Sequence, residues 1–305
     1  MGAQIAAHLA NANVKPYLFE LAADGRDKSA NARKAIEGLA KLEPAPLATK
    51  SVAQQIVPAN YDEHLPLLAE CDLVIEAISE RMDWKKALFE KVAPHIAPGA
   101  IFATNTSGLS ITELSKTLPP ALRRRFCGVH FFNPPRYMRL VELVPTAETD
   151  PAILDRLESF LTTTLGKGVV RAKDTPNFVA NRVGVFSMLA TMHHTQQFKL
   201  PFDEVDALTG PAIGRGKSAT YRTADVVGLD TMAHVVKTMQ DNLRSDPFYP
   251  HFATPKVLAG LIAKGALGQK TGAGFYKKVG KDILRLDPAK GDYVPSGGKA
   301  DPIVE

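Results

Sequence analysis

Two residues that could share a proton, His130 and Glu142, lie close together in the sequence. His130 follows the short apolar run 126–129, and Glu142 lies inside the apolar run 140–144. The prolines between them force a turn, so a hairpin would place the two side chains next to each other. A carboxylate beside an imidazole fixes the ring tautomer and raises its basicity, as in a general base. The spacing alone fits a structural histidine and a solvent-facing glutamate on an edge strand even better.

The string HFFNPPRYMRLVELV, residues 130–144, resembles the signature of the L-3-hydroxyacyl-CoA dehydrogenases. The string NTSGLSIT, residues 105–112, resembles a second signature of the same family, and the similarity extends over nearly the whole chain. The resemblance implies oxidation of an L-3-hydroxyacyl-CoA to a 3-ketoacyl-CoA in fatty-acid β-oxidation, with NAD as the cofactor. It also implies that His130 is the catalytic base and that Glu142 holds it.

Three further polar residues take substrate roles by the same resemblance. Ser107 would hydrogen-bond the substrate oxygen beside the nicotinamide, and Asn181 would contact the substrate. Asn133 would support the substrate site through its loop, and Asn105 would lie on the cofactor side. Residues of these types also form turns and helix caps, so their pattern alone leaves a structural role open.

The N-terminal residues predict part of a dinucleotide-binding unit. An Ala-rich helix over 2–10 is followed by a strand over 14–19 that ends at Glu20, which is the second half of a βαβ unit. An acid at this position would bond the adenosine ribose and repel a 2′-phosphate, so Glu20 favours NAD over NADP. By resemblance Gly2 is the third glycine of the phosphate-binding turn. Glu80 and Lys85 match an acid and a lysine near the nicotinamide, although either could be helix-cap chemistry.

The first strand of such a unit and its first two glycines are absent ahead of Gly2. The resemblance therefore implies a chain truncated at its N-terminus or a misassigned start. We expect the strands predicted over 14–19 and 73–78 each to lack a partner, because the missing strand would lie between them. Open edges invite association, so weak NAD binding and aggregation are expected.

The predicted fold is an α/β Rossmann-like NAD-binding domain that lacks its first strand, followed by an all-α domain. The alternation of strands and helices places the first domain over 1–174 and the helical domain over 175–280. Residues 281–305, rich in Asp, Pro, Gly and Lys, are predicted as a linker or tail. The resemblance implies a homodimer formed through the helical domain. It also implies a hydratase domain in the full-length protein.

The composition is that of an ordinary globular protein of 305 residues, 45% hydrophobic and 23% charged. A net charge of +5 suits an anionic ligand such as an acyl-CoA and does not favour nucleic acid. No apolar run is long enough to span a membrane, and two cysteines make neither a disulfide framework nor a metal site. We therefore expect a cytoplasmic protein without a metal. Two alternatives stay open: a related dehydrogenase for 3-hydroxybutyryl-CoA or a sugar acid, and a non-catalytic fragment.

Overall fold

The computed structural model describes residues 1–297, which divide into two compact units. The first is Met1–Phe178, and the second begins at Val179. The division lies four residues beyond the boundary at 174 that the sequence indicated. Within residues 1–297 no helix is both long and apolar enough to cross a membrane.

The first unit alternates strands and helices, as the sequence predicts for a Rossmann-like domain. Its elements are α1 (Gly2–Asn11), β1 (Tyr17–Glu20), α2 (Ala30–Gly38), β2 (Val57–Asn60), β3 (Leu73–Glu76), α3 (Met82–Val92), β4 (Ile101–Thr104), α4 (Ile111–Ser115), α5 (Pro120–Arg123), β5 (Phe126–Phe131), β6 (Leu140–Pro145), α6 (Pro151–Thr163) and β7 (Gly168–Arg171).

A five-stranded mixed sheet in the order β3-β4-β5-β6-β7 forms the centre of this unit. Strands β3, β4 and β5 are parallel, β6 runs antiparallel to β5, and β7 is parallel to β6. Because side chains alternate between the faces of a strand, the face that carries Phe126 also carries Gly128 and His130. Phe126 packs on that face with Phe89 of α3 and Phe102 of β4. The predicted mixed Rossmann-like fold is confirmed.

Strands β1 and β2 form a separate two-stranded parallel sheet. A cavity of about 1640 Å³ lies between this pair and β3, and its walls include Leu18 of β1, Ile75 of β3 and Phe160 of α6. Among residues 1–297, β1 has only β2 as a ladder partner and β3 has only β4. The two strands expected to lack a neighbour therefore do lack one in the structure.

The sequence does not predict strand β2, because four residues that include a proline carry little strand signal. Its sequence is Val-Pro-Ala-Asn, and Pro58 has no N–H group to donate to a ladder, so it does not suit a central strand. The strand lies at the edge of its sheet and pairs with β1 alone, where a proline is tolerated. Short 3-10 turns, at 39–41 and 50–55, occupy most of the preceding segment.

The second unit is helical from α7 to α11. Its helices are α7 (Ala180–Phe198), α8 (Phe202–Thr209), α9 (Tyr221–Val227), α10 (Leu229–Asn242) and α11 (Lys256–Ala263), and its strands are β8 (Tyr276–Val279), β9 (Asp282–Asp287) and β10 (Asp292–Pro295). The strands form an antiparallel sheet in the order β10-β9-β8. The prediction of a linker from residue 281 is therefore wrong for 282–295, and a small sheet accompanies the helices. Residues 298–305 of the predicted tail lie outside the described residues.

Carboxylates of the helices fasten this small sheet. Asp225 of α9 accepts the backbone N–H groups of Phe275 and Tyr276, each at 2.8 Å. Asp206 of α8 accepts the Tyr276 hydroxyl at 2.8 Å, and burial raises the pKa of Asp225 to about 6. A Cβ at Gly274 would lie 2.0 Å from Asp225 Oδ1, so only glycine fits there. These contacts join residues 50 or more positions apart, so local sequence patterns could not show how the sheet is attached to the helices.

Candidate active site

His130 and Glu142 are direct register partners in the antiparallel ladder of β5 and β6. His130 Nδ1 lies 2.7 Å from Glu142 Oε2. The Glu142 residue is 0% exposed and His130 is 5% exposed. The interpretation of Glu142 as a solvent-facing residue is therefore wrong. A buried carboxylate is retained only when it is paired, and the imidazole supplies the partner.

The pairing determines which nitrogen of His130 is available for chemistry. An ionised carboxylate can only accept, so Nδ1 carries the hydrogen and the lone pair of the neutral ring is on Nε2. The rings of Phe132 and Phe178 pack against the imidazole, with centroid distances of 4.4 and 5.8 Å. The ring is thus fixed by one hydrogen bond and two aromatic contacts, and Nε2 is the atom that can take a proton.

Asn105 ties the carboxyl ends of two strands together. Its backbone N–H donates to the carbonyl oxygen of Glu76 at 2.7 Å. Its side-chain Oδ1 accepts the N–H of Phe131 at 2.9 Å. Asn105 therefore fixes the edge of the sheet from which His130 projects. Asn133 lies in the exposed turn between β5 and β6.

Residues 105–109, which we call the Ser107 loop, wrap around one carboxylate oxygen. Glu80 Oε1 accepts the N–H groups of Ser107 and Gly108, each at 2.9 Å, and the Thr106 hydroxyl. The loop follows β4, whose Thr104 is level with Gly128 of β5. His130 lies two residues beyond that level and Ser107 three residues beyond it. Both lie at the carboxyl edge of the sheet, where open α/β sheets bind ligands.

Asp174 holds the segment that directly follows the Ser107 loop, a role that its own sequence does not predict. Its carboxylate accepts the Ser110 hydroxyl at 2.9 Å and the N–H groups of Ile111 and Thr112 at 3.0 and 2.8 Å. An acid at a helix N-terminus satisfies otherwise unpaired N–H groups, and here it caps α4. Its partners lie more than 60 positions away, so the only local signal was an acid followed by a proline.

The chain matches two families in succession. Residues 1–175 match the family described as 3-hydroxyacyl-CoA dehydrogenase, NAD binding domain, and residues 178–278 match its C-terminal domain. The chain belongs to the 3-hydroxyacyl-CoA dehydrogenase family. Its cofactor is NAD, as the description of the N-terminal family states.

Relatives and solved structures agree with this family. A probable 3-hydroxyacyl-CoA dehydrogenase of Bacillus subtilis is 41% identical over 96% of this chain, and one of Deinococcus radiodurans is 41% identical over 93%. The chain spans 39% of the first of these relatives and 82% of the second. The crystal structure of Mycobacterium tuberculosis FadB2 is 30% identical with a TM-score of 0.74, and the match covers 92% of this chain and 95% of that one.

Two of the residues expected on the NAD side, Gly2 and Glu20, line the cavity. The N-terminus of α1 is next to the carboxyl ends of β1 and β3, since a Cβ at Gly2 would lie 3.7 Å from Ala77 Cβ and 4.0 Å from a Leu18 methyl group. Free N–H groups at a helix N-terminus suit a pyrophosphate. Glu20 ends β1, half-buried, and burial raises the pKa of its carboxyl. These residues fit the phosphates and a ribose of NAD.

Two further expected residues belong to helices α3 and α7. Lys85 of α3 is fully buried, and its Nζ lies 2.6 Å from Glu76 Oε1 and 3.9 Å from Glu80 Oε2. Asn181 is the second residue of α7 in the second unit and is half-buried. Within residues 1–297 no cluster of three or more acidic, His or Cys side chains could hold a metal ion.

Proposed function

We propose that this chain oxidises an L-3-hydroxyacyl-CoA to the 3-ketoacyl-CoA with NAD. The observation that supports it is the buried pair of His130 and Glu142 at the carboxyl edge of the sheet. This pair provides a base of fixed tautomer beside the Ser107 loop. The family's NAD-binding domain and the 41% identity to named dehydrogenases support the reaction type.

In this mechanism His130 Nε2 removes the proton of the 3-hydroxyl group. NAD, when bound, would supply the acceptor for the hydride of C3, and loss of the proton and the hydride turns the C–O bond into a carbonyl. The charge that His130 gains is stabilised by Glu142, whose Oε2 already accepts Nδ1–H. The Ser107 hydroxyl and the Asn181 amide orient the substrate oxygens, and Asn133 supports the substrate from its turn. The proton stays on His130 until solvent removes it.

The chain's own residues would hold the cofactor from two ends. Gly2 at the start of α1 admits the pyrophosphate, and Glu20 bonds the adenosine ribose. Asn105, Glu80 and Lys85 form the border of the nicotinamide side. Among these, Glu80 contacts the Ser107 loop directly, and Lys85 is buried behind it.

The attached domains, the oligomeric state and the cellular location of the protein are also proposals. A Rickettsia felis relative, 35% identical, is named a putative fatty acid oxidation complex trifunctional enzyme, and the chain spans 39% of it. This relative supports a hydratase region in a longer form of the protein. We propose a homodimer through the second unit, where Val183, Phe198 and Ile213 are exposed. The two free thiols, Cys71 and Cys127, suit a reducing cytoplasm.

A second candidate is the same reaction on a short acyl chain. A (S)-3-hydroxybutyryl-CoA dehydrogenase from Ralstonia eutropha is 27% identical with a TM-score of 0.72, and the match covers 90% of this chain and 94% of that one. The ratio kcat/KM for L-3-hydroxy substrates from C4 to C16 separates the candidates. A steep preference for C4 would favour the short-chain assignment.

The test is the formation of NADH by the purified chain with L-3-hydroxyacyl-CoA and NAD. The D-stereoisomer at equal concentration is the control, because it presents the hydroxyl to the wrong side. Stereospecific NADH formation would support the proposal. If NAD raises the melting temperature and no L-3-hydroxyacyl-CoA is oxidised, the chain binds cofactor but has another substrate. If NAD has no effect on melting either, the chain is the non-catalytic fragment.

A further inference from the structure

We propose that buried Glu76, at the end of β3, is the positioning residue that holds the Ser107 loop in its reactive geometry. The inference rests on the proposed function, because that function gives Ser107 its contact with the substrate oxygen. Glu76 is 5% exposed, and both of its carboxylate oxygens are bonded to groups of the protein, Oε1 to Lys85 and the Ile78 N–H and Oε2 to Thr104. Its influence reaches the loop through three connections.

The first connection runs through Lys85 and Glu80. Glu76 Oε1 lies 2.6 Å from Lys85 Nζ, and Lys85 Nζ lies 3.9 Å from Glu80 Oε2. The other oxygen of Glu80 binds the backbone of Ser107 and Gly108. Lys85 thus attracts one end of the Glu80 carboxylate while the loop binds the other end. This arrangement assigns Lys85 to the support of Glu80.

The second connection runs through Thr104, the last residue of β4. Its hydroxyl donates to Glu76 Oε2 at 2.6 Å, and Thr104 Oγ1 in turn accepts the N–H of Thr106 at 3.3 Å. The third connection is backbone, from Asn105 N–H to the Glu76 carbonyl at 2.7 Å. The last residue of β4 and the first two residues of the Ser107 loop are therefore linked, directly or through Thr104, to one glutamate.

Stability alone does not explain a buried ion pair of this kind. The side chains of Lys85 and Glu76 are 1% and 2% exposed, and desolvation of two charges offsets most of their attraction. Apolar residues of similar volume are often as stabilising as a buried pair. What the pair adds is a charge of fixed position behind Glu80. A small displacement of a positioning group can lower a rate by as much as about a hundredfold.

The experiment removes the charges together and reads out the loop directly. The double variant Glu76→Gln/Lys85→Met leaves no unpaired buried charge, and Thr104→Val separately removes the second connection. Hydrogen–deuterium exchange of the amides of residues 106–108 is measured together with kcat and KM. We expect faster exchange at these amides, a kcat that falls about tenfold or more, and a smaller change in the acyl-CoA KM. The melting temperature is recorded for each variant.

Lys91→Met is the matched control, since Lys91 lies on the same helix and its side chain is 47% exposed. The amide exchange rates of residues 106–108 and the kcat of this variant should equal those of wild type. A folded double variant with wild-type exchange and wild-type kcat would overturn the proposal. If the double variant does not fold, Thr104→Val decides, and wild-type exchange at 106–108 in that variant would overturn it. The exchange readout needs no turnover, so it separates this inference from failure of the proposed function.

Discussion

Glu142 faces His130 across a single ladder step, with 2.7 Å between Oε2 and Nδ1. Both residues project from the face of the sheet that also carries Phe126, so the pair is set by backbone register. A shift of one residue would move Glu142 to the opposite face. The orientation of the base is therefore built into the sheet and does not depend on a flexible loop.

Replacing His130 tests the base. His130→Gln keeps a polar side chain but cannot take the hydroxyl proton, so kcat should fall by roughly two to four orders of magnitude. Steady-state NADH formation measures the change, and NAD binding by thermal shift is the control that the cofactor site is intact. A kcat within a few-fold of wild type would remove His130 from the mechanism.

Replacing Glu142 tests the partner. Glu142→Gln is isosteric and neutral, so the imidazolium loses its stabilising charge and the ring loses its fixed tautomer. We expect a lower kcat and a shifted pH dependence of kcat/KM, with the acyl-CoA KM changed much less. An unaltered pH profile would show that the contact is structural only.

Replacing Glu20 tests the cofactor preference. Glu20→Ala removes a ribose partner and a charge that repels a 2′-phosphate, so the ratio of kcat/KM for NAD over NADP should fall. The matched control is Glu70→Ala, which removes an acid that is hydrogen-bonded to Tyr17 of the same strand. A wild-type protein that already prefers NADP would contradict the assignment.

His8 gives the first unit a sensitivity to acid. Burial, with the nearby charge of Lys167, lowers the pKa of His8 to about 4. An unfolded histidine has a pKa near 6.5, so between about pH 6.5 and 4 the unfolded state binds more protons than the folded state. The stability contributed by neutral His8 is therefore lost as the pH falls through this window.

His8→Leu should remove that loss, and melting temperatures from pH 7.5 to 4.5 would show it. The melting temperature of the variant should rise relative to that of wild type as the pH falls below 6.5, because all other titrating groups are shared. His234→Leu, an exposed histidine of the second unit, serves as the control. A constant difference between His8→Leu and wild type at every pH would be the contrary result.

The cavity between β1 and β3 can be tested with an N-terminal extension that forms a strand. A segment of about a dozen residues, enough for one apolar strand and a glycine turn, joined ahead of Met1 could enter the gap and pair with both open edges. We expect a higher melting temperature, less aggregation and tighter NAD binding. The same extension with proline at alternate positions cannot form the ladder and serves as the control. Equal melting temperatures for both extensions would show that no strand enters.

The local sequence pattern was sufficient to predict an element where the periodicity of its apolar residues is clear. Helix α3 is observed over Met82–Val92, where apolar side chains recur at helical spacing. Strand β2 and the small sheet were missed for the opposite reason. Only Leu286 is buried in strand β9, so the segment shows little of the alternation that marks a strand.

Parts of the candidate site could be predicted only by resemblance. His130 and Glu142 lie in one hairpin, so their proximity followed from a turn and two apolar runs. Asp174 and Glu76 act on residues that are distant in the sequence, and nothing in their own segments shows it. The burial of Lys85 likewise depends on tertiary packing. The roles assigned to Ser107, Asn133 and Asn181 stay predictions.

The contacts of the small sheet determine at which residue a separately expressed second domain can end. The match to the C-terminal family ends at residue 278, within β8, but Leu286 lies in the core of the unit and Arg285 pairs with Asp203 at 2.8 Å. Cutting at the end of the match would leave the Asp203 side chain, 5% exposed, without Arg285 and without the Gly297 N–H. Loss of contacts to a carboxylate as buried as this one lowers the stability of the unit. A separately expressed second domain should therefore extend at least to Gly297.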